Sequence, residues 1–247
     1  MNSGTTRQKV AVVSGGSSGI GRALVVALSN DGYRVLTCGR DAARLRQLEQ
    51  ELPGVSGQVC DVADRQAVQD FAAKVLAEHP AIDLLISNAG GLREIDFTAA
   101  DLDSIDLTAE LRINLEGAIH LIAAFMPGLR QAAPASILVV SSGYALAPVT
   151  RAPIYSASKA ALHSLCKSLR RQLEPLKISV TELLPPLVDT PAVAHRQAKK
   201  ISAESVAQMA LAATHRGTEE VHPGDVRVLP LMLRLLPGMA ESIVAKT

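Results

Sequence analysis

The chain is 247 residues long, 48% hydrophobic, and carries 25 basic against 24 acidic side chains. A chain of this length can bury about three-quarters of its unfolded surface in one core, and a charge balance near zero excludes the footprint of a nucleic-acid or anionic-membrane partner. With no Trp and only three Tyr, it also lacks the aromatic platforms on which single-stranded bases stack.

In chain order, short apolar runs alternate with stretches of helical period. Lys9–Ser14 reads as a first strand, followed by a glycine-rich turn and a helix over Gly21–Ser29. Further strands are expected at Arg34–Cys38, Gly57–Cys60, Ile82–Ser87, Ser136–Ser141, Ile178–Leu184 and Val226–Leu229. Helices are expected between them at Ala42–Glu51, Arg65–Glu78, Glu110–Arg130, Tyr155–Glu174 and Ala203–Thr214. Strands that are apolar nearly throughout are covered on both faces. Their alternation with helices predicts right-handed crossovers, hence an α/β fold with a doubly wound parallel sheet (a Rossmann fold) in a single domain over residues 1–247. No apolar run approaches the ~18 residues of a membrane span, and the opening MNSGTTRQK has no signal-peptide core. Cys38, Cys60 and Cys166 are scattered and form no CxxC, as expected of reduced thiols in a cytoplasmic protein with no disulfide framework and no metal site.

In a doubly wound sheet, ligands bind beyond the carboxyl ends of the strands, so the residues after each strand are the first place to look for chemistry. The first strand runs into Ser14-Gly15-Gly16-Ser17-Ser18-Gly19-Ile20-Gly21 and then a helix. Glycines there let the backbone turn tightly and approach a pyrophosphate, while the helix N-terminus offers free N–H groups. The spacing is GxxxGxG. Asp61-Val62 follows the third strand, Ser87-Asn88-Ala89-Gly90 the fourth, and Ser142 the fifth; Asn114 lies in LRINLEGA, and Tyr155 and Lys159 in YSASK. Singly, each has a plain alternative as a turn cap, a loop bond or a solvated helix face. Jointly and in this order they resemble the short-chain dehydrogenase/reductase family, over at least Lys9 to Thr190.

Tyr155 and Lys159, four apart on a helix, share a face. Reduction of a carbonyl needs a proton for the developing alkoxide, and an ammonium beside a tyrosine is expected to bring the phenol below its ordinary pKa of ~10. The resemblance implies that Ser142 holds the substrate oxygen, that Lys159 also holds the nicotinamide ribose, and that Asn114 completes a proton relay. It further implies cofactor contacts from Gly15, Ser17, Ser18, Gly19, Ile20 and Gly21, from Asp61 and Val62, from Asn88, Ala89 and Gly90, from Tyr155, and from Val188 and Thr190. Tyr144, two residues after Ser142, is expected to line the substrate pocket.

The second strand ends in Cys38-Gly39-Arg40-Asp41. Where an acid would accept ribose hydroxyls there is Gly39, and Arg40 suits a 2′-phosphate, so NADP(H) is expected over NAD. Asp41 reads as the N-cap of the next helix. After the sixth strand the family's Pro-Gly is Pro185-Pro186 here, as in branches that include 3-ketosphinganine reductases and oxidoreductases of unassigned substrate; HPGDVRVLPLMLRLLPG replaces the usual C-terminal ending. His163 and Cys166 have no ligand partners in sequence and read as packing or subunit-contact residues. His195 falls in a substrate flap and is given no chemistry. The stretch from Thr190 to about Ser202 is short for a capping flap, which suits a compact or one-end-exposed substrate. The function expected is interconversion of a ketone and a secondary alcohol with NADPH. Alternatives are a catalytically silent NADP-binding sensor or scaffold, an epimerase or dehydratase, and a 3-ketosphinganine-type reductase. Helices apolar on more than one face predict a homodimer or homotetramer.

Overall fold

The computed structural model describes residues 7–190 and 200–247. The chain runs β1 Val10–Ser14, α1 Gly19–Asn30, β2 Arg34–Gly39, α2 Ala42–Glu51, β3 Val55–Val59, α3 Arg65–Glu78 and β4 Leu84–Ser87. A short α4, Ala109–Leu111, continues through a π-helical turn, Arg112–Glu116, into α5, Gly117–Ala132. Then come β5 Ala135–Val140, α6 Pro153–Leu173, β6 Ile178–Leu183, β7 Val188–Asp189, β8 Ile201–Ser202, α7 Ala203–His215 and β9 Glu220–Val221. The chain closes with a 3₁₀ turn at Gly224–Val228, α8 Leu229–Leu235 and α9 Pro237–Ala245.

Seven strands pair in parallel in the order β3-β2-β1-β4-β5-β6-β9. The order reverses between β1 and β4, which opens the crevice expected of a doubly wound sheet. Alternation along β1 explains why its run is apolar throughout. Val10 and Val12 enter one core with Phe71, Phe125 and Leu162 of α3, α5 and α6. Ala11 and Val13 enter the other, with Leu24 of α1 and Val206 of α7. Helix starts follow local chemistry. Asp41 accepts from the N–H groups of Ala43 and Arg44, Asp64 from those of Gln66 and Ala67, and Ser202 from that of Ser205.

The seventh strand lies elsewhere than expected. Glu220–Val221 pairs with Glu182–Leu183, whereas the expected Val226–Leu229 lies in the 3₁₀ turn and the first residue of α8. Pro223 has no N–H to extend the ladder, and Gly224, at φ +59°, turns the chain off the sheet edge. The apolar residues beyond then pack as helices on Ala147 and Leu184. The third strand starts earlier than expected, at Val55, with Gly57 inside it because Leu45 presses on that position; a Cβ there would lie 3.0 Å from Leu45 Cβ.

Candidate active site

The glycine turn after β1 is closely packed against its neighbours. Gly15 and Gly19 have φ of +68° and +55°, where only glycine rests without strain. A Cβ on Gly15 would lie 3.0 Å from the Ala89 backbone, and one on Gly21 would lie 2.1 Å from the Gly15 carbonyl. Asn88 braces this turn: its side-chain NH₂ donates to the carbonyls of Ser14 and Gly15, at 3.0 and 3.2 Å. The Ser14 hydroxyl accepts from the backbone N–H groups of Asn88 and Ala89. Asn88 therefore shapes the loop through its side chain. Helix α1 starts at Ser18 with no side-chain cap on its free N–H groups, the donor set a pyrophosphate requires.

The other expected residues gather along one cleft of about 1480 Å³ across the strand ends, larger than the ~300–1,000 Å³ of ordinary small-ligand pockets. Ser17, Ser18, Gly19, Ile20, Arg40, Asp61 and Val62 border one half. Ser142, Tyr155, Lys159, Val188 and Thr190 border its centre. Asp61 also accepts from the Ala63 N–H, so it caps its turn as well as lining the cleft. Arg40 is exposed at the cleft wall, without a hydrogen-bond or ion-pair partner among the described residues. The second proline leaves the backbone after β6 in register. The Pro185 carbonyl accepts from Gly143 N–H at 3.0 Å, Val188 still forms β7, and Thr190 sits over Gly19. His195 and the segment 191–199 lie outside the described residues.

Four polar side chains converge at the centre. Asn114 lies in the π-helical turn, 1% exposed; its Oδ1 accepts from Gly91 N–H and its NH₂ donates to Gly91 O, both at 2.9 Å. π-turns of this kind recur at functional sites because they re-aim one residue of a helix. Gly90 has no side chain where a Cβ would come within 2.8 Å of Asn114 Oδ1 and 3.6 Å of Lys159 Nζ. Lys159 is buried, donates to the Val140 carbonyl at 2.9 Å, and has its ammonium 5.6 Å from the Tyr155 ring centre. Ser142, two residues beyond β5, accepts from Tyr144 N–H at 3.2 Å and lies close enough to Tyr155 to lower its phenol's pKa. Tyr144 meets Tyr155 edge to face at 6.3 Å.

Burial dominates the ionisations. Tyr155 is pushed up to about 12 by desolvation, with Ser142 pulling it back and the Glu110 carboxylate and Tyr144 adding to the rise. The phenol therefore does not lie below its ordinary value as the sequence led us to expect: loss of solvent dominates, and the lowering comes from Ser142. Lys159 is pushed down to about 8 by its own burial, opposed chiefly by the carboxylates of Glu182 and Glu110. At neutral pH the phenol holds its proton and the amine is charged, the states needed of a proton donor and its cationic neighbour.

The decisive match is one of sequence pattern over this same architecture: residues 9–201 fit the short chain dehydrogenase family. This chain belongs to that family. Its seven-stranded Rossmann sheet is the family's fold, and its general chemistry is oxidoreduction with a nicotinamide nucleotide. It is 37% identical to an uncharacterized oxidoreductase of Bacillus subtilis, DltE, over 85% of this chain and 86% of that one. An oxidoreductase of Staphylococcus saprophyticus is 29% identical over 91% of this chain and 98% of its own. Among solved structures, a short chain dehydrogenase from Burkholderia cenocepacia in complex with NADP aligns with a TM-score of 0.86 and 27% identity, covering 98% of this chain and 99% of its own. A relative from Burkholderia phymatum in complex with NAD aligns at 0.78 and 22% identity, over 92% of this chain and 95% of its own.

Several residues of this family member escaped sequence reasoning. Glu110 is 7% exposed, one turn before Asn114, and accepts from Arg93 N–H with one oxygen while the other has no partner among the described residues. Its i, i+4 spacing to Asn114 was the available signal. Arg44 joins Arg40 on the cleft wall, one helical turn along. Cys38 and Cys60 both line the cleft and shift each other's ionisation, Cys38 upward and Cys60 downward. His163 does have partners: its Nδ1 lies 2.8 Å from Glu182 Oε2, with Glu220 and Arg170 adjacent. That cluster depends on the β6–β9 register, which no local pattern announces.

Proposed function

We propose that this chain is an NADPH-dependent reductase that interconverts a ketone and a secondary alcohol, with Tyr155 as proton donor. The observation that carries the reading is the convergence of Asn114, Ser142, Tyr155 and Lys159 beside a glycine turn built for a dinucleotide phosphate. Gly15, Ser17, Ser18, Gly19, Ile20, Gly21, Asp61, Val62, Asn88, Ala89, Gly90, Tyr155, Val188 and Thr190 would hold the cofactor, with Lys159 on its ribose; bound there, the nicotinamide supplies or accepts a hydride. Ser142 orients the substrate oxygen toward the Tyr155 hydroxyl. Tyr155 gives its proton to that oxygen as negative charge develops, and the Lys159 ammonium stabilises the phenolate left behind. Asn114 holds the Gly91 backbone and offers a polar path for the returning proton.

Selection of NADP over NAD rests on Gly39, which brings no acid to the ribose, and on Arg40 and Arg44, whose guanidiniums suit a 2′-phosphate. No helix among the described residues is long and apolar enough to cross a membrane, and the three cysteines are free and buried; both agree with a place in the cytoplasm. A homodimer or homotetramer would form through the outer faces of α5, where Ile119 is 43% exposed, and of α6, where Ala157, Ala160 and Ser164 are exposed. The test is consumption of NADPH and of NADH over a panel of ketones, with identification of the alcohol formed. A protein that binds either nucleotide but reduces no ketone would mark it as a sensor or scaffold.

A further inference from the structure

Beyond Tyr155 the cleft continues into a trough that the C-terminal helices build. Val226 packs directly on Gly143, the residue after Ser142; a Cβ on that glycine would lie 2.8 Å from a Val226 methyl. From there the wall passes along Leu229 and Met232 of α8 to Ile243 and Val244 of α9. Leu229 and Ala240 form its floor, packed on Ala147 and Leu184. The α9 side chains that line the trough, Ala240, Ile243 and Val244, are spaced by three and four residues, one helical face about 6 Å long at 1.5 Å per residue. The trough's edge is apolar too: Val228 is 48% exposed, Ile243 51% and Leu92 38%, and all three line the cleft.

Polar groups on this half are engaged or peripheral. The Tyr144 hydroxyl pairs with the Thr247 hydroxyl at 3.2 Å, and the Arg151 guanidinium is held by Glu94 at 2.8 Å. Asp225 lies exposed where the 3₁₀ turn begins. One end of the trough therefore offers the hydrogen-bonding pair Ser142 and Tyr155, and the rest offers hydrocarbon. Apolar side chains left half in water at the mouth of a reaction cleft gain most from a ligand that covers them.

Resting on the reductase reading above, we infer that the substrate is a ketone bearing an unbranched apolar chain, its carbonyl at Ser142 and Tyr155 and its chain laid along α8 and α9. The chain leaves the protein past Ile243, so length is tolerated beyond that point. A second copy of the protein on the same rim is the competing occupant.

The experiment is a series of methyl ketones from butanone to decanone, with keto acids of equal length, assayed by NADPH consumption. Burial of each methylene should raise kcat/KM about two- to fourfold, until the chain passes the rim and the gain ends. Keto acids with the carboxylate at the far end should lose that gain. Ile243→Asp should collapse the ratio of decanone to butanone by tenfold or more, whereas Leu235→Asp, on the outward side of α8, should keep it. NADPH fluorescence titration of each variant verifies that it is folded and loads its cofactor. A flat length dependence among ketones that are reduced, or a preference for the keto acids, overturns this inference and leaves the reductase reading standing. Reduction of no ketone at any length sinks both. If Ile243→Asp keeps the length preference and instead lowers the mass in solution, the rim belongs to a second copy and the inference fails.

Discussion

At the scale of single residues, the site sets burial against charge. Lys159 has its pKa lowered from 10.5 to about 8, so the folded protein binds its proton less readily than the unfolded chain does. The cost is fully present below about pH 8 and is relieved as pH rises toward 10.5; it amounts to about 3 kcal/mol at neutral pH. Lys159→Met should therefore stabilise the protein near pH 7 by about 1–3 kcal/mol, after the lost bond to Val140 O is offset. The gain should vanish above pH 10, and reduction should be lost. Urea denaturation at several pH values measures this, and a less stable Lys159→Met at pH 7 would contradict it. Tyr155→Phe removes one hydroxyl and keeps the ring against Tyr144. NADPH should bind normally while kcat falls about 10²–10⁴-fold, because the proton is needed only as charge develops. Near wild-type turnover in that variant would overturn the mechanism.

At the scale of elements, the strand ends carry the specificity. β2 delivers Gly39 and Arg40 to the cleft, and α2 adds Arg44 one turn later. Arg44 is also tied to Asp41 at 3.2 Å, whereas Arg40 beside it has no ion pair among the described residues. Arg40→Ala should weaken NADPH about ten- to a hundredfold, the loss of one charge-assisted contact, and leave NADH nearly unchanged. Equal weakening of both in a binding titration would show that Arg40 does not read the phosphate. Most strands and helices were legible because each is announced within a few residues: β-branched runs for strands, Asp41 and Asp64 for caps, Pro153 at the first turn of α6. The last strand was not. Glu220–Val221 has only two ladder residues, and its pairing comes from β6, while the apolar Val226–Leu229 looks like a strand but is better buried as a helix on Ala147.

At the scale of the whole molecule, apolar surface indicates what the chain still has to cover. Ile119 and the small residues of α5 and α6 form one such region; Leu231, Leu235, Leu236 and Met239 on α8 and α9 form another. A dimer or tetramer is expected at micromolar concentration by light scattering, and a monomeric mass there would rule out both helix pairs as assembly faces. Within the chain, the candidate site is assembled from the π-helical turn before α5, from α6, and from residues that follow the strands β1 to β5, all distant in sequence. Parallel pairing brings their carboxyl ends to one edge, so motifs that follow strands meet there. Asn114, Ser142, Tyr155 and Lys159 are legible in the sequence because their joint order resembles the family's motifs, and the fold brings the four to one cleft or its wall. Local pattern located the glycine turn, the Asp41 cap and the absence of an acid at Gly39, since each depends on backbone conformation within one turn. Tertiary structure alone decided the rest. It placed Glu110 behind Tyr155, set Cys38 near Cys60, joined His163 to Glu182, and folded the C-terminal apolar run into a wall of the cleft. Those contacts depend on strand register and on which surface is left to bury the last helices. Both follow from the packing of the whole chain, which no local pattern of residues carries.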